Sequence, residues 1–246
     1  MKETQAIIER ISRVNTGFQR LHLSVDDSLS QIKPGQSLLA RPVEAWNPYL
    51  REHWWPVTVS ATNMIVERPL ESRYEPGQVV SLLGLIGQPY RYRRTLRNVL
   101  LLSFDAPPTA LLMSIGWLLG NQVSVTLVLL GSARQYDTAH LPPELEIIHG
   151  EDDFGWPDRV MTVGWADQVF VTVAPDDELG RFAKVWTLFK ELRADIPPNY
   201  LFGVFQPELP CGVGACQACL VGLRGNTVRT ICQDGPAIDL TQVPLL

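Results

Sequence analysis

Through the first hundred or so residues, apolar side chains recur at every second position. Gln5–Val14, Gln19–Val25, Val57–Ala61 and Val79–Leu83 are short alternating or β-branched runs, the period expected of strands that bury one face. Turn chemistry separates them at Lys33-Pro34-Gly35-Gln36, Asn47-Pro48 and Glu75-Pro76-Gly77-Gln78, where proline fixes φ and glycine supplies the reversed backbone. Six or so strands punctuated this way predict a small antiparallel barrel. Tyr90–Arg97, YRYRRTLR, then brings four arginines together and reads as the connector leaving the barrel.

From Asn98 the period changes. NVLLLS is a continuous apolar strand, Pro107–Leu119 a helix with proline in its first turn, and Gln122–Leu130 a second buried strand. Shorter strands are predicted at Leu145–His149 and Gln168–Val173. Asp177–Ala194 carries Phe182, Val185, Trp186, Phe189 and Leu192 at spacings of three and four, which predicts an amphipathic helix. Pro197-Pro198 ends it before a last strand at Tyr200–Phe205. Strands alternating with helices predict a parallel sheet covered on both faces.

Composition narrows the function. The 246 residues carry a net charge of −5 and are 46% hydrophobic, an ordinary globular balance that lacks the basic stripe of a nucleic-acid binder. Apolar runs are too short for a membrane span, and the start MKETQAIIERISRVN lacks the apolar core of a signal peptide. A cytoplasmic, reducing location is therefore expected, which disfavours disulfides.

All four cysteines then stand out, because they fall within PCGVGACQACLVGLRGNTVRTIC as Cys211, Cys216, Cys219 and Cys232. The spacing C-x4-C-x2-C-x12-C begins as the plant-type [2Fe–2S] pattern does. Gly212 and Gly214 allow a tightly wrapped loop, and Cys232 is expected from a strand over Thr227–Ile231 after a turn at Gly225-Asn226. Structural zinc would use two C-x2-C knuckles and only one is present; inert buried thiols do not explain the crowding. The histidines are scattered, and Asp152-Asp153 and Asp176-Asp177 read as turn or cap acids.

Several stretches carry a family resemblance. Cys211–Cys232 runs on into Gln233-Asp234-Gly235-Pro236, Pro34-Gly35-Gln36 forms an early turn, and LREHWWPVTV over Leu50–Val59 precedes Gly84-Leu85-Ile86-Gly87. With its three parts in this order, the chain resembles the electron-transfer subunits of dihydroorotate dehydrogenase, within the ferredoxin reductase-like superfamily. The resemblance implies three units: a flavin-binding-like barrel over residues 1–97, a nucleotide-binding-like α/β unit over 98–199 and a [2Fe–2S] unit over 200–246. It further implies a role in pyrimidine biosynthesis, relaying electrons to or from a catalytic dehydrogenase subunit in a hetero-oligomer, rather than a stand-alone enzyme. A scaffold or redox sensor without nucleotide binding is the alternative.

The residues depart from the family pattern at two places. Where the family has an arginine three residues before a Ser/Thr, this chain has Trp55 before Thr58, and Arg51 lies further back. Met64–Tyr74 lacks the family's Gly-Thr phosphate cradle and holds Glu67 and Glu71, charges unwelcome beside an anion. Pro56, Val57 and Thr58 remain the candidates for FAD, and FAD binding stays open, because backbone amides can supply part of a phosphate site. The Trp54-Trp55 pair reads equally well as a barrel-edge or interface pair. In place of the family's glycine loop stands Ser103-Phe104-Asp105-Ala106-Pro107-Pro108, so NAD(P) is not expected to bind; Asp105 is expected instead to cap the following helix. The family's Cys-Gly-Pro is Val173-Ala174-Pro175.

Overall fold

A computed structural model describes residues 2–43, 50–151 and 154–245. The turn expected at Asn47-Pro48 and the acids Asp152-Asp153 lie outside the described residues.

The alternating segments form one antiparallel sheet. Its strands are β1 (Lys2–Arg13), β2 (Phe18–Ser24), β3 (Ser37–Pro42), β4 (Glu52–Trp54), β5 (Pro56–Val59), β6 (Asn63–Pro69) and β7 (Val79–Ile86), with a single helical turn, α1 (Asp27–Ser30), after β2. Their order is β4-β3-β7-β1-β2-β6-β5. The two edge strands are consecutive in sequence and joined only by Trp55, so the sheet curls into a nearly closed barrel. Inward positions such as Ile8, Leu21, Leu38, Met64 and Leu82 are fully buried, which is why the period-2 pattern was legible. β6 was not foreseen: in NMIVERP the charged Glu67 breaks the alternation, and that side chain is buried for a reason of its own.

The second sheet contains β8 (Asn98–Phe104), β9 (Ser124–Leu130), β10 (Glu146–His149), β11 (Gln168–Val173), β12 (Leu201–Val204) and β15 (Ala237–Asp239), in the order β10-β9-β8-β11-β12-β15. The first five run parallel and β15 is antiparallel. Helices α2 (Thr109–Gly120), α3 (Arg159–Trp165) and α4 (Glu178–Leu192) cover its faces. Asp177 caps α4 by accepting the Gly180 N–H at 3.2 Å, and Phe182, Val185, Trp186 and Phe189 are buried beneath it, as the periodicity requires. α2 is apolar nearly all round because it lies between this sheet and the barrel: Leu111 and Ile115 share one core with Trp55 and Val57. Residues 200–246 supply β12 and β15 to the α/β sheet and add a separate hairpin, β13 (Leu220–Leu223) with β14 (Thr227–Thr230), followed by the one-turn helix α5 (Ile231–Asp234).

Candidate metal centre and the cleft beside it

The cysteine loop hangs between β12 and the β13–β14 hairpin. Gly212 and Gly214 take φ of 64° and 74°, left-handed values that a residue with a side chain adopts only under strain. At Gly214 space is also exhausted, since an added Cβ would lie 2.7 Å from the Gln233 side chain. Gln233 in turn donates to the Val213 carbonyl at 2.8 Å, so it props the loop from below. The spacing of cysteines alone gave no sign of this residue's role.

The loop's tight course aims amides at sulfur. Val213 and Cys216 each point an N–H at Cys211 Sγ at 3.5 Å, and Gly214 points one at Cys232 Sγ at 3.1 Å. Cys219 and Cys232 are buried against the main core, Cys211 is half-buried and Cys216 exposed. The amides of Cys216 and Val213 draw the Cys211 thiol down to about 7. Burial pushes the Cys232 thiol up, and neighbouring Cys219 adds to that. Cys216 adds to the lowering at Cys211, and Cys232 feels both Cys219 and Cys211, so the four thiols share one neighbourhood. Among the described residues, no three His, Cys, Asp or Glu side chains converge on one metal-sized point.

Cys232 sits on α5 and not on the strand expected to carry it. The strand ends at Thr230, whose N–H and hydroxyl both donate to Asp234 Oδ2, at 3.0 and 3.1 Å; that capping closes a helical turn around Cys232. The barrel fixes this turn from outside. Gly87 donates its N–H to the Cys232 carbonyl at 2.9 Å, and the Gln88 side chain donates to the Gln233 carbonyl at 2.8 Å. The Gly84–Gly87 segment thus backs directly onto the candidate ligand.

The flavin candidates do not meet at one place. Pro56 and Val57 are buried on the barrel strand that packs against α2, whereas Thr58 is exposed. Trp55, only 7% exposed, fills the same core and leaves no room there for a guanidinium. A cleft of about 520 Å³ opens beside it, lined by His53, Trp55, Arg68, Pro107, Pro175 and Gln206 among others. His53 lies 4.6 Å from Trp55, ring to ring; burial, with the Arg68 charge nearby, pushes its pKa down to about 3, so the imidazole is neutral. Arg68 binds Glu52 at 2.6 Å and the His53 carbonyl at 3.2 Å, and its Nε is buried without a partner. Flat aromatic and proline walls suit a planar ring, beside an arginine that is already paired with Glu52. Residues 55–58 offer no fork for a diphosphate. The strand exit Gln206-Pro207-Glu208-Leu209-Pro210 leads from this cleft to Cys211.

Glu67, a charge unwelcome beside an anion, has partners of its own. It does not face an anion site but is buried between barrel and α/β unit, where Tyr136 donates to it at 2.8 Å and Arg20 lies 3.5 Å away. Burial pushes its pKa up. Asp105 likewise caps nothing: the cap position of α2 is Pro108, without a side-chain bond. Its carboxylate instead accepts the Ser132 N–H at 3.1 Å and pairs with Arg181 at 3.4 Å.

Comparison with known proteins agrees with this architecture. Residues 207–244 match the family described as the iron–sulfur cluster binding domain of dihydroorotate dehydrogenase B. The electron transfer subunit of dihydroorotate dehydrogenase B (NAD(+)) from Shouchella clausii (strain KSM-K16) is 26% identical over 250 residues, covering 96% of this chain and 90% of that protein. Among solved structures, the NADH-dependent reduced ferredoxin-NADP oxidoreductase studied for flavin-based electron bifurcation superposes with a TM-score of 0.73 at 16% identity, over 98% of this chain and 90% of the other. The cytochrome b5 reductase domain of Ulva prolifera nitrate reductase gives a TM-score of 0.56 at 11% identity, over 81% and 96%. The fold is therefore ferredoxin reductase-like, in a chain similar along nearly all its length to the electron transfer subunit of dihydroorotate dehydrogenase B and matching, at residues 207–244, the iron–sulfur cluster binding domain described for that enzyme.

Proposed function

We propose that this chain is an electron-transfer subunit in which Cys211, Cys216, Cys219 and Cys232 hold a [2Fe–2S] cluster. The observation that carries the reading is the loop that turns the Val213, Gly214 and Cys216 amides onto Cys211 and Cys232 Sγ. The C-x4-C-x2-C spacing with amides turned to sulfur suits two bridged irons, whereas structural zinc uses two C-x2-C knuckles and only one is present. When bound, such a cluster supplies a one-electron store. The chain's contribution is uneven: the amides of Val213, Gly214 and Cys216 offset sulfur charge at Cys211 and Cys232, and the core around Cys219 and Cys232 limits water.

The cleft beside Trp55 is the proposed seat of a flavin, FAD by analogy with the family, with His53 and Trp55 walling the ring and Arg68 supplying the nearby cation. The Gln206–Pro210 segment then joins flavin seat and cluster through one short stretch of chain. Exposed Cys216, with Val213 and Leu220 beside it at 44% and 42% exposure, gives the cluster an apolar outlet towards a catalytic dehydrogenase subunit. A dihydroorotate-oxidising partner in pyrimidine biosynthesis is the proposed assignment, in the cytoplasm. We extend the proposal to the division of labour: residues 1–97 as flavin barrel, 98–199 as α/β unit and 200–246 as cluster unit. Among the described residues no helix is long and apolar enough to cross a membrane.

Iron and sulfide analysis with electron paramagnetic resonance of the reduced, anaerobically purified protein tests the cluster. Two irons per chain and a rhombic low-temperature signal are expected; a colourless zinc protein would overturn the reading. Released flavin, measured by fluorescence after denaturation, separates a flavin-to-cluster relay from a bare cluster protein acting as scaffold or sensor.

A further inference from the structure

In doubly wound α/β folds the first strand turns into its helix at the carboxyl edge of the sheet, and ligand phosphates gather there on backbone amides. The corresponding turn here, between β8 and α2, is filled by a carboxylate of the chain itself. Asp105 takes φ of 57°, a left-handed value that aspartate tolerates better than most residues. In this conformation its side chain meets the turn that follows β9. Oδ1 accepts the Ser132 N–H at 3.1 Å, and it is packed so closely that a Cβ on Gly131 would lie 2.1 Å from it. Oδ2 faces Arg181 Nε at 3.4 Å, and the Arg181 guanidinium continues to Asp176 at 2.9 Å. One aspartate thus ties the ends of β8 and β9 to the first turns of α4. Phe104, buried against Phe154 at 4.3 Å between ring centres, fills the floor beneath.

We propose that Asp105 is an internal stand-in for a phosphate, and that it determines specificity by exclusion. The Ser132 N–H and the Arg181 guanidinium are the donors an incoming diphosphate would need, and both are already satisfied. A nicotinamide dinucleotide meets a closed, negatively charged strand end. The site beneath is latent: without the carboxylate, one amide and one arginine still paired with Asp176 face the vacated position. This inference goes beyond the cluster reading and uses none of its residues.

Isothermal titration of the full-length, cluster-loaded protein with inorganic pyrophosphate tests it, alongside NADH titration followed by fluorescence. The wild type is expected to bind pyrophosphate only weakly and NADH without saturation. Asp105→Gly, which accepts the left-handed backbone without strain, is expected to bind pyrophosphate about tenfold more tightly than wild type, the worth of one charge-assisted hydrogen bond. Adding Arg181→Gln should return the affinity to the wild-type level. Saturable NADH binding by the wild type overturns the inference, as does a folded Asp105→Gly protein with no gain for pyrophosphate. If circular dichroism shows that Asp105→Gly does not fold, Asp105→Asn serves: it keeps the Ser132 bond but frees Arg181, and absence of any gain there overturns the inference equally. The cysteine loop is intact in every variant. An unchanged cluster spectrum with no pyrophosphate gain therefore sinks this inference alone, and a protein without iron sinks only the cluster reading.

Discussion

Two places in this molecule are built to receive negative charge, and they are finished in opposite ways. In the cysteine loop, the N–H groups of Val213, Gly214 and Cys216 point at sulfur atoms, and the charge is completed by whatever the thiolates bind. At the end of β8, the Ser132 N–H and Arg181 receive the carboxylate of Asp105, from the same chain. The backbone scaffolding is comparable: Gly214 at φ 74° and Gly131 at φ 58° both reverse the chain beside an acceptor. Fold alone therefore does not say which ligands a protein of this architecture takes. What decides is whether the scaffold's donors are left unsatisfied or are consumed internally.

The largest expected effect comes from removing a buried ligand. Cys232→Ala should abolish visible absorbance, because alanine offers iron no ligand atom in place of the thiolate. The segment 207–244 should then become protease-sensitive, since metal-binding energy is folding energy for so small a unit. Full absorbance with normal protease resistance would remove Cys232 from the ligand set.

Next comes Trp55, where resemblance and structure disagree about the barrel edge. By resemblance, Trp55→Arg would repair a flavin site and raise flavin retention. By geometry, Trp55 is core, packed with Val57, Tyr90 and Leu111, and an arginine there loses that packing and buries a charge. A loss of about 3–5 kcal/mol is expected, seen as a fall in melting temperature of about 10 °C with no gain in bound flavin. A stable variant richer in flavin would show that the cleft, and not the core, owns position 55.

Gly214→Ala probes the finish of the cysteine loop more gently. The left-handed backbone and the clash with Gln233 together should cost about 2–4 kcal/mol. The Gly214 N–H would also turn away from Cys232 Sγ, so cluster loss in air should accelerate relative to wild type. An unchanged decay rate would mean that this amide contributes nothing to the site.

Much of this was legible in the chain, and the illegible part has a common cause. The barrel, the parallel sheet and α4 follow from local period, and the four cysteines follow from local spacing. Asp105 takes a role other than the expected cap because its partner, Arg181, lies 76 positions away, and the partner of Glu67, Tyr136, lies 69 away. A carboxylate in sequence looks the same whether it repels an external anion, caps a helix or satisfies a distant donor. β6 was lost for the same reason, since burial of Glu67 between two units is a tertiary fact. Cys232 was placed on the wrong element because the Asp234 cap that closes α5 is short-range but side-chain based.

The smallest effect concerns a third carboxylate, and it compares the two sides of the cleft. Glu178 begins α4 and accepts the Gln206 N–H where the chain leaves β12 towards Cys211. Burial raises its pKa from 4.5 to about 7, partly opposed by that backbone bond. An acid with a raised native pKa binds more protons folded than unfolded between those two values. Stability therefore falls as pH rises from about 4.5 to about 7 and is flat beyond, by an order of magnitude of 3 kcal/mol at most. Glu178→Gln can still accept from Gln206 through its amide oxygen but carries no charge. Melting temperatures measured at pH 5 and pH 8 should differ by several degrees less in the variant than in wild type. Equal pH slopes would mean that Glu178 stays ionised at no penalty and that water reaches this side of the cleft. In that event the Gln206–Pro210 segment lies in a wetter environment than its packing against α4 implies, and the apolar path from cleft to Cys211 would have to run along the Trp55 side instead.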